Sequence, residues 1–169
     1  MREIAKSSIL LELAKAYPKV ALKQAKQFYW SPKESTIYYN PSQLDADKGR
    51  WALLHEAAHA HLGHNRYSTD LELLIYEVKA WQKAKNLGKK MGISIDQEHI
   101  ESCLDTYRDW LYARSTCPTC ELNGLQNEND RYTCLNCLTS WDVSPSRFCR
   151  PYRMQNRSTA SENKQINFA

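Results

Sequence analysis

The sequence lacks an apolar run long enough to cross a membrane. Its nearest approach, SSILLELAKAY, is interrupted by Glu12 and Lys15, whereas a transmembrane helix needs about 20 consecutive apolar residues. No small-residue cleavage site follows this stretch, so it does not match the pattern of a secretory signal peptide. We therefore expect no membrane association and a cytoplasmic location.

Internal repeats are not visible, and large aliphatic side chains almost disappear after residue 145, where Ser, Asn, Gln and Arg dominate. This composition predicts a disordered tail, since it offers too little apolar surface to bury. The chain of 169 residues, 42% of them hydrophobic, is long enough for one compact domain and a small module. We expect the domain at residues 1–114, the module at 115–144 and the tail at 145–169.

The larger domain has the signals of several helices and one hairpin. Helices are predicted over residues 3–16, from Asp45 or Asp47 to Gly63, from the Thr69–Glu72 capping box onward, and from the Ser94–Gln97 capping box onward. Between the first two, QFYWSPKESTIYYN places two aromatic and β-branched runs around a turn, which predicts a hairpin. The fold class is therefore α+β, mostly helical with a short hairpin or small sheet.

Cysteine occurs in a pattern that argues against disulfides. Four of the six cysteines form two Cys-x-x-Cys pairs, Cys117 with Cys120 and Cys134 with Cys137, separated by 13 residues. This spacing is typical of a four-cysteine zinc ribbon. Four thiolates complete a tetrahedral site, so we expect this zinc to be structural. The intervening segment has few large apolar residues, so metal binding and folding should be coupled.

The sequence HEAAH at residues 55–59 is an H-E-x-x-H motif. On a helix His55 and His59 lie about 40° apart, so both imidazoles can reach one ion. Glu56 stands beside them and is placed to accept a proton from water. We therefore predict His55 and His59 as metal ligands and Glu56 as the general base.

Two further histidines follow, His61 and His64, and they are predicted not to share this ion. If the helix continues, they lie about 240° and 180° from His55. We expect them to be exposed or to cap the helix end. A metzincin would need Gly at position 62 and His at position 65, where this chain has Leu62 and Asn65.

The third ligand is predicted to be Glu77. Its neighbours at helical spacing are apolar, namely Leu73, Leu74, Ala80 and Trp81. A carboxylate in an apolar stripe is costly unless something pairs with it, and a divalent cation would do so. The alternative is a glutamate at the edge of the stripe, paired with a nearby lysine.

Taken together, LLHEAAHAHLGH followed by ELLIYEVKAW resembles the gluzincin zinc peptidases, specifically the small ImmA/IrrE-type bacterial metallopeptidases. The hairpin FYWSPKESTIYY is similar to the small sheet that precedes the active-site helix in that family. The resemblance covers about residues 25 to 90. It implies one catalytic zinc held by His55, His59 and Glu77, with Glu56 as general base and proton shuttle.

The resemblance also implies the reaction. Zinc bound by two imidazoles and one carboxylate keeps an open position, at which a zinc-activated water attacks a peptide bond. We therefore expect an endopeptidase with two Zn²⁺ per chain, one catalytic and one structural, acting on a protein or peptide substrate. The helix-turn-helix domain that the family often carries is not recognisable here, and the family pattern does not require the cysteine module.

Two alternatives remain open. In the first, the chain is a non-catalytic, zinc-stabilised module that binds protein or nucleic acid, and the H-E-x-x-H zinc only holds helices together. In either interpretation the ribbon and the arginine-bearing tail could make weak contact with nucleic acid. In the second, it is a SprT-like protease acting near DNA, for which His99 would have to supply the third ligand. Glu56 argues against the first, because a structural site needs no base. Glu77 lies closer in sequence than His99, which argues against the second.

Overall fold

The computed structural model describes residues 6–128, 130–144 and 153–155. Its helices and small sheets confirm the α+β class. None of the described helices is long and apolar enough to cross a membrane. The elements are α1 (Lys6–Ala16), β1 (Ala21–Gln24), β2 (Tyr29–Ser31), β3 (Thr36–Tyr39), α2 (Asp47–Leu62), α3 (Asp70–Lys90), α4 (Gln97–Ser115), β4 (Gly124–Glu128), β5 (Arg131–Cys134), β6 (Ser140–Val143) and β7 (Arg153–Gln155), with a 3₁₀ turn at Pro41–Gln43.

The chain divides into two compact units. One consists of residues up to 67 together with 72–104, and we call it the helical unit. The other consists of residues 68–71 and those from 105 onward, and we call it the ribbon unit. Helices α3 and α4 therefore each contribute residues to both units.

The helical unit contains a three-stranded sheet in the order β1-β3-β2. Strands β2 and β3 are antiparallel and form the predicted hairpin, with Trp30 opposite Ile37. Strand β1 pairs with β3 in the parallel direction, which the sequence pattern did not predict. The buried core joins this sheet to the helices through side chains such as Ile37 of β3, Leu53 and Leu54 of α2, and Ala84 of α3.

Helix α2 begins and ends at residues with different capping chemistry. Its C-cap is Gly63 in the left-handed conformation, with a φ of 66°, as the sequence predicts. Its N-cap is Ala46, which offers no side-chain hydrogen bond, so the predicted cap by Asp45 or Asp47 is wrong. Asp47 is instead the first helical residue, and its carboxylate lies 2.5 Å from the guanidinium of Arg50.

The ribbon unit contains a four-stranded antiparallel sheet in the order β4-β5-β6-β7. In the part of this unit that the structure describes, the buried core is small and consists of Cys117, Tyr132, Cys134, Trp141 and Val143. Most of the tail predicted at residues 145–169 lies outside the described residues; of it the structure describes Arg153–Gln155, which form β7.

A buried ion pair connects distant parts of the ribbon unit. The guanidinium of Arg114, at the end of α4, is 1% exposed and donates to the carboxylate of Asp70 over 2.5 Å. The same carboxylate accepts from the hydroxyl of Tyr132 at 2.5 Å. Arg114 also contacts Asp130 at 3.1 Å and lies 4.7 Å from the centre of the Trp110 ring. We call these residues the Arg114 network.

Candidate metal centres

Helix α2 places His55 and His59 one turn apart on the same face, as the motif predicts. Their Nε2 atoms lie 3.1 Å apart, and the two rings meet edge to face with centroids separated by 4.6 Å. The side chains are 10% and 12% exposed, respectively. Two imidazole nitrogens therefore converge on one point in a largely dry environment.

Helix α3 brings Glu77 to the same point. Its Oε2 lies 3.1 Å from Nε2 of His55, and its Oε1 lies 3.5 Å from Nε2 of His59. Ligand bonds of about 2.0 to 2.1 Å in tetrahedral geometry place neighbouring ligand atoms about 3.3 Å apart. The three separations match this edge length, so the donor set and its spacing fit a zinc ion.

Glu77 and the histidines determine each other's charge. Burial opposes ionisation of Glu77, but hydrogen bonds from His55 and His59 outweigh it and hold its pKa below the usual value for a glutamate. Burial likewise lowers the pKa of His59, but the hydrogen bond and the negative charge of Glu77 outweigh it and raise the pKa. A buried site that binds a cation needs a negative charge beside it, and the ionised carboxylate of Glu77 supplies that charge next to the two histidine nitrogens.

Glu56 lies beside this triangle and is held by the sheet. The backbone N–H of Trp30, in edge strand β2, donates to its Oε2 at 2.7 Å. Burial raises the pKa of Glu56, and the charges of His55 and His59 act in the opposite direction. The carboxylate is thus fixed by main chain from another element while it remains next to the proposed ligands.

His64 does not lie where the sequence predicts. It is buried, and its Nδ1 lies 2.8 Å from Nδ1 of His59. Burial and the neighbouring His59 lower its pKa to about 4. The prediction of an exposed or capping histidine is therefore wrong for His64, whereas His61 is exposed and its ring lies edge to face with Tyr17, with centroids 5.6 Å apart.

His99, the ligand that the SprT-like alternative needs, lies away from the ligand triangle. It packs between Trp51 and Trp81, with ring centroids 4.9 and 5.6 Å away, and its Nε2 lies 3.7 Å from Sγ of Cys103. Trp81 also stacks on His55 with centroids 4.2 Å apart. Of the described residues, the group that could share an ion with His55 and His59 contains Glu77 and not His99.

The four cysteines converge on a second point, in the ribbon unit. Sγ of Cys117 lies 3.5 Å from Sγ of Cys137, and Sγ of Cys120 lies 3.4 Å from Sγ of Cys134. These separations exceed the disulfide bond length of about 2.05 Å by far. They come near the roughly 3.8 Å between sulfurs that surround one zinc at bonds of about 2.3 Å. The predicted quartet therefore forms a compact candidate zinc site.

Backbone N–H groups point at the sulfurs in both loops. The N–H of Thr119 donates to Sγ of Cys117, and the N–H of Asn136 donates to Sγ of Cys134, each over 3.4 Å. Hydrogen bonding between Cys137 and the side chain and backbone of Thr139 lowers the pKa of Cys137 to about 6. Such donors stabilise thiolate, the form in which cysteine binds metal.

No protein-family profile, curated protein or solved structure matches this chain significantly. The interpretation of both centres therefore depends on residue chemistry and geometry. Both ligand sets that the sequence predicts are brought together by the fold. Two candidate metal centres follow, a sulfur quartet of the closed type and a His-His-Glu triangle that leaves one tetrahedral position open.

Proposed function

We propose that this protein is a zinc-dependent endopeptidase of the gluzincin type, with a structural zinc in its ribbon unit. The observation that carries the proposal is the triangle of His55, His59 and Glu77, with Glu56 on the adjacent helical position. Three protein ligands leave a position for water or substrate, which is the arrangement of catalytic rather than structural zinc sites.

In the proposed hydrolysis, Glu56 transfers the proton and the three ligands hold the zinc. Bound zinc would supply the Lewis acidity that makes water acidic and polarises a carbonyl. Glu56 accepts a proton as the water oxygen bonds to the carbonyl carbon of the scissile peptide, and it then passes that proton to the leaving nitrogen as the C–N bond breaks. The products are one carboxylic acid and one amine. Because Trp30 fixes Oε2 of Glu56, the other oxygen, Oε1, carries the proton.

The role of Glu56 is tested by Glu56→Gln, with Glu12→Gln on α1 as a control far from the triangle in sequence. Cleavage of casein and of the chain's own segment after residue 145 should be followed together with zinc content. Glu56→Gln should lower the rate by about 10²- to 10⁴-fold, since it removes the general base. Its zinc content should stay at the wild-type level, because Gln keeps size and polarity and Glu56 is not a ligand.

Equal cleavage rates in wild type and Glu56→Gln would contradict the proposal, and so would an inert wild type that still binds zinc. The second result would favour the non-catalytic alternative. Nucleic-acid binding gains no support from residues 115–144, which have four acidic residues against one basic residue, Arg131. That arginine is already paired with Asp142 at 2.8 Å.

A further inference from the structure

If His59 is a metal ligand, the donor and the acceptor in the hydrogen bond between His59 and His64 can be assigned. A 2.8 Å separation between two Nδ1 atoms is a hydrogen bond, so one nitrogen has the proton and the other accepts. Nε2 of His59 faces His55 and Glu77 and is the nitrogen available to a metal. A neutral, ligating His59 therefore has its proton on Nδ1 and donates it to His64.

This direction also determines the state of His64. Its Nδ1 must present a lone pair, so its own proton lies on Nε2 and the ring is neutral. Ligating histidines usually donate their second N–H to a carboxylate, a carbonyl or water. Here a neutral imidazole takes that place, and it orients His59 without adding a second negative charge to the site.

His64 is held in place from several sides. The backbone N–H of His64 donates to the backbone carbonyl of His59 at 3.1 Å. The backbone carbonyl of His64 accepts from Nε1 of Trp30 at 3.0 Å. Its ring stacks on Tyr76 of α3, with centroids 4.2 Å apart and planes 8° from parallel. The hydroxyl of Tyr76 is in turn fixed by Glu72 at 2.9 Å. A ring constrained in this way can hold another ring in a fixed orientation.

We propose that His64 is a positioning residue that accepts the Nδ1 proton of His59 and so keeps Nε2 of His59 unprotonated and directed at the metal. This inference rests on the proposed zinc ligands but not on peptidase activity. Trp30 supports both His64 and the general base, because its indole N–H donates to the carbonyl of His64 and its backbone N–H donates to the carboxylate of Glu56. The edge strand β2 thereby aligns the base and the support of a ligand together.

Zinc affinity measured by competition with a chromophoric chelator tests the inference on four variants. His64→Leu keeps bulk but removes the acceptor, whereas His64→Asn can place its Oδ1 where Nδ1 of the histidine lies. His61→Leu and His61→Asn are matched controls at the neighbouring exposed histidine. His64→Leu should weaken zinc binding at the His-His-Glu site by about 10- to 100-fold. His64→Asn should keep a zinc affinity closer to that of the wild type. Both His61 variants should bind zinc with wild-type affinity.

Nitrogen-15 NMR of the zinc-loaded wild type provides a second measurement that needs no variant to fold. His59 should be the Nδ1–H tautomer and His64 the Nε2–H tautomer. The opposite tautomers, or equal zinc affinity in His64→Leu and wild type, would overturn the inference. A wild type that binds zinc at the triangle with these tautomers but cleaves nothing would contradict the proposed function and leave the role of His64 supported.

Discussion

At the scale of single residues, Glu77 is the carboxylate on which the proposed catalytic centre depends. It is 7% exposed on its side chain and contacts both histidines of the motif. A buried carboxylate of this kind is expensive in free energy unless positive charge is close to it. A bound zinc ion would supply that charge at every pH at which it stays bound, whereas histidines supply it only while they are protonated.

Glu77→Gln should therefore weaken zinc binding at the His-His-Glu site while the cysteine site keeps its ion. The amide is neutral and a poorer metal ligand, so the loss should be seen as a lower zinc content after dialysis. Glu12→Gln on α1 is the control, since that glutamate is exposed and lies on a different helix from the three proposed ligands. Equal zinc content in wild type and Glu77→Gln would remove Glu77 from the site.

The residues of the triangle could be predicted because their spacing is a local property of helices. His55, Glu56 and His59 follow from the helical repeat, and Glu77 follows from an apolar stripe that contains a charge. His64 could not be predicted by the same rule, because the rotation of 100° per residue holds only while the helix continues. Helix α2 ends at Leu62, and the left-handed Gly63 turns the chain so that His64 returns to His59.

At the scale of elements, the Arg114 network joins the first residue of α3 to the last turn of α4 within the ribbon unit. Asp70 is 2% exposed and Arg114 is 1% exposed, so neither charge is solvated. Removing one partner of a buried pair leaves the other charge without compensation. The pair therefore matters more for the stability of this unit than any exposed pair does.

Asp70→Asn should lower the free energy of unfolding of the ribbon unit by about 3 kcal/mol, at the low end for a broken buried pair because Asp130 still contacts Arg114. Asp105→Asn is the control. It removes an exposed pair with Arg108 in the same unit, and exposed pairs contribute about 1 kcal/mol or less. Urea unfolding followed by tryptophan fluorescence measures both. A larger effect in Asp105→Asn than in Asp70→Asn would contradict the importance of the network.

Element boundaries were predictable where capping residues and hydrophobic periodicity agree. The hairpin and the glycine end of α2 follow from such signals. Strand β1 was not predictable, since Ala21–Gln24 is mostly exposed and lacks the alternation of a half-buried strand. The Ser94 cap was also wrong, because α4 begins at Gln97 and the carboxylate of Asp96 accepts from the N–H of Glu98. Ser94 and Asp96 stand two positions apart and both have side chains that can cap a helix, so the sequence pattern alone does not choose between them.

At the scale of the whole molecule, the two units differ in how much core they have. Among the residues that the structure describes, the helical unit buries 17 hydrophobic residues in one cluster, whereas the cluster of the ribbon unit has five, of which two are cysteines of the proposed zinc site. A core that small contributes little stability on its own. We therefore expect the ribbon unit to depend on its metal and the helical unit to persist without metal.

Metal analysis should return about two zinc ions per chain, and the double variant Cys117→Ser with Cys120→Ser should retain one. Zinc removal from the wild type by a chelator should expose Trp141, whose side chain is now fully buried, while most helical circular dichroism remains. A single ion in the wild type would contradict the two-site interpretation. Simultaneous loss of helical signal and of Trp141 burial would contradict the independence of the helical unit.

Asp70 also has a consequence for the order of events during translation. It leaves the ribosome 62 residues before Tyr132, its hydrogen-bond partner. At synthesis rates of about 5 to 20 residues per second, Tyr132 is therefore added to the chain about 3 to 12 s after Asp70. The hydrogen bonds that satisfy this carboxylate in the folded chain cannot all form before Tyr132 has been synthesised. A ribosome stalled before residue 114 would carry a nascent chain in which Asp70 has neither Arg114 nor Tyr132 as a partner.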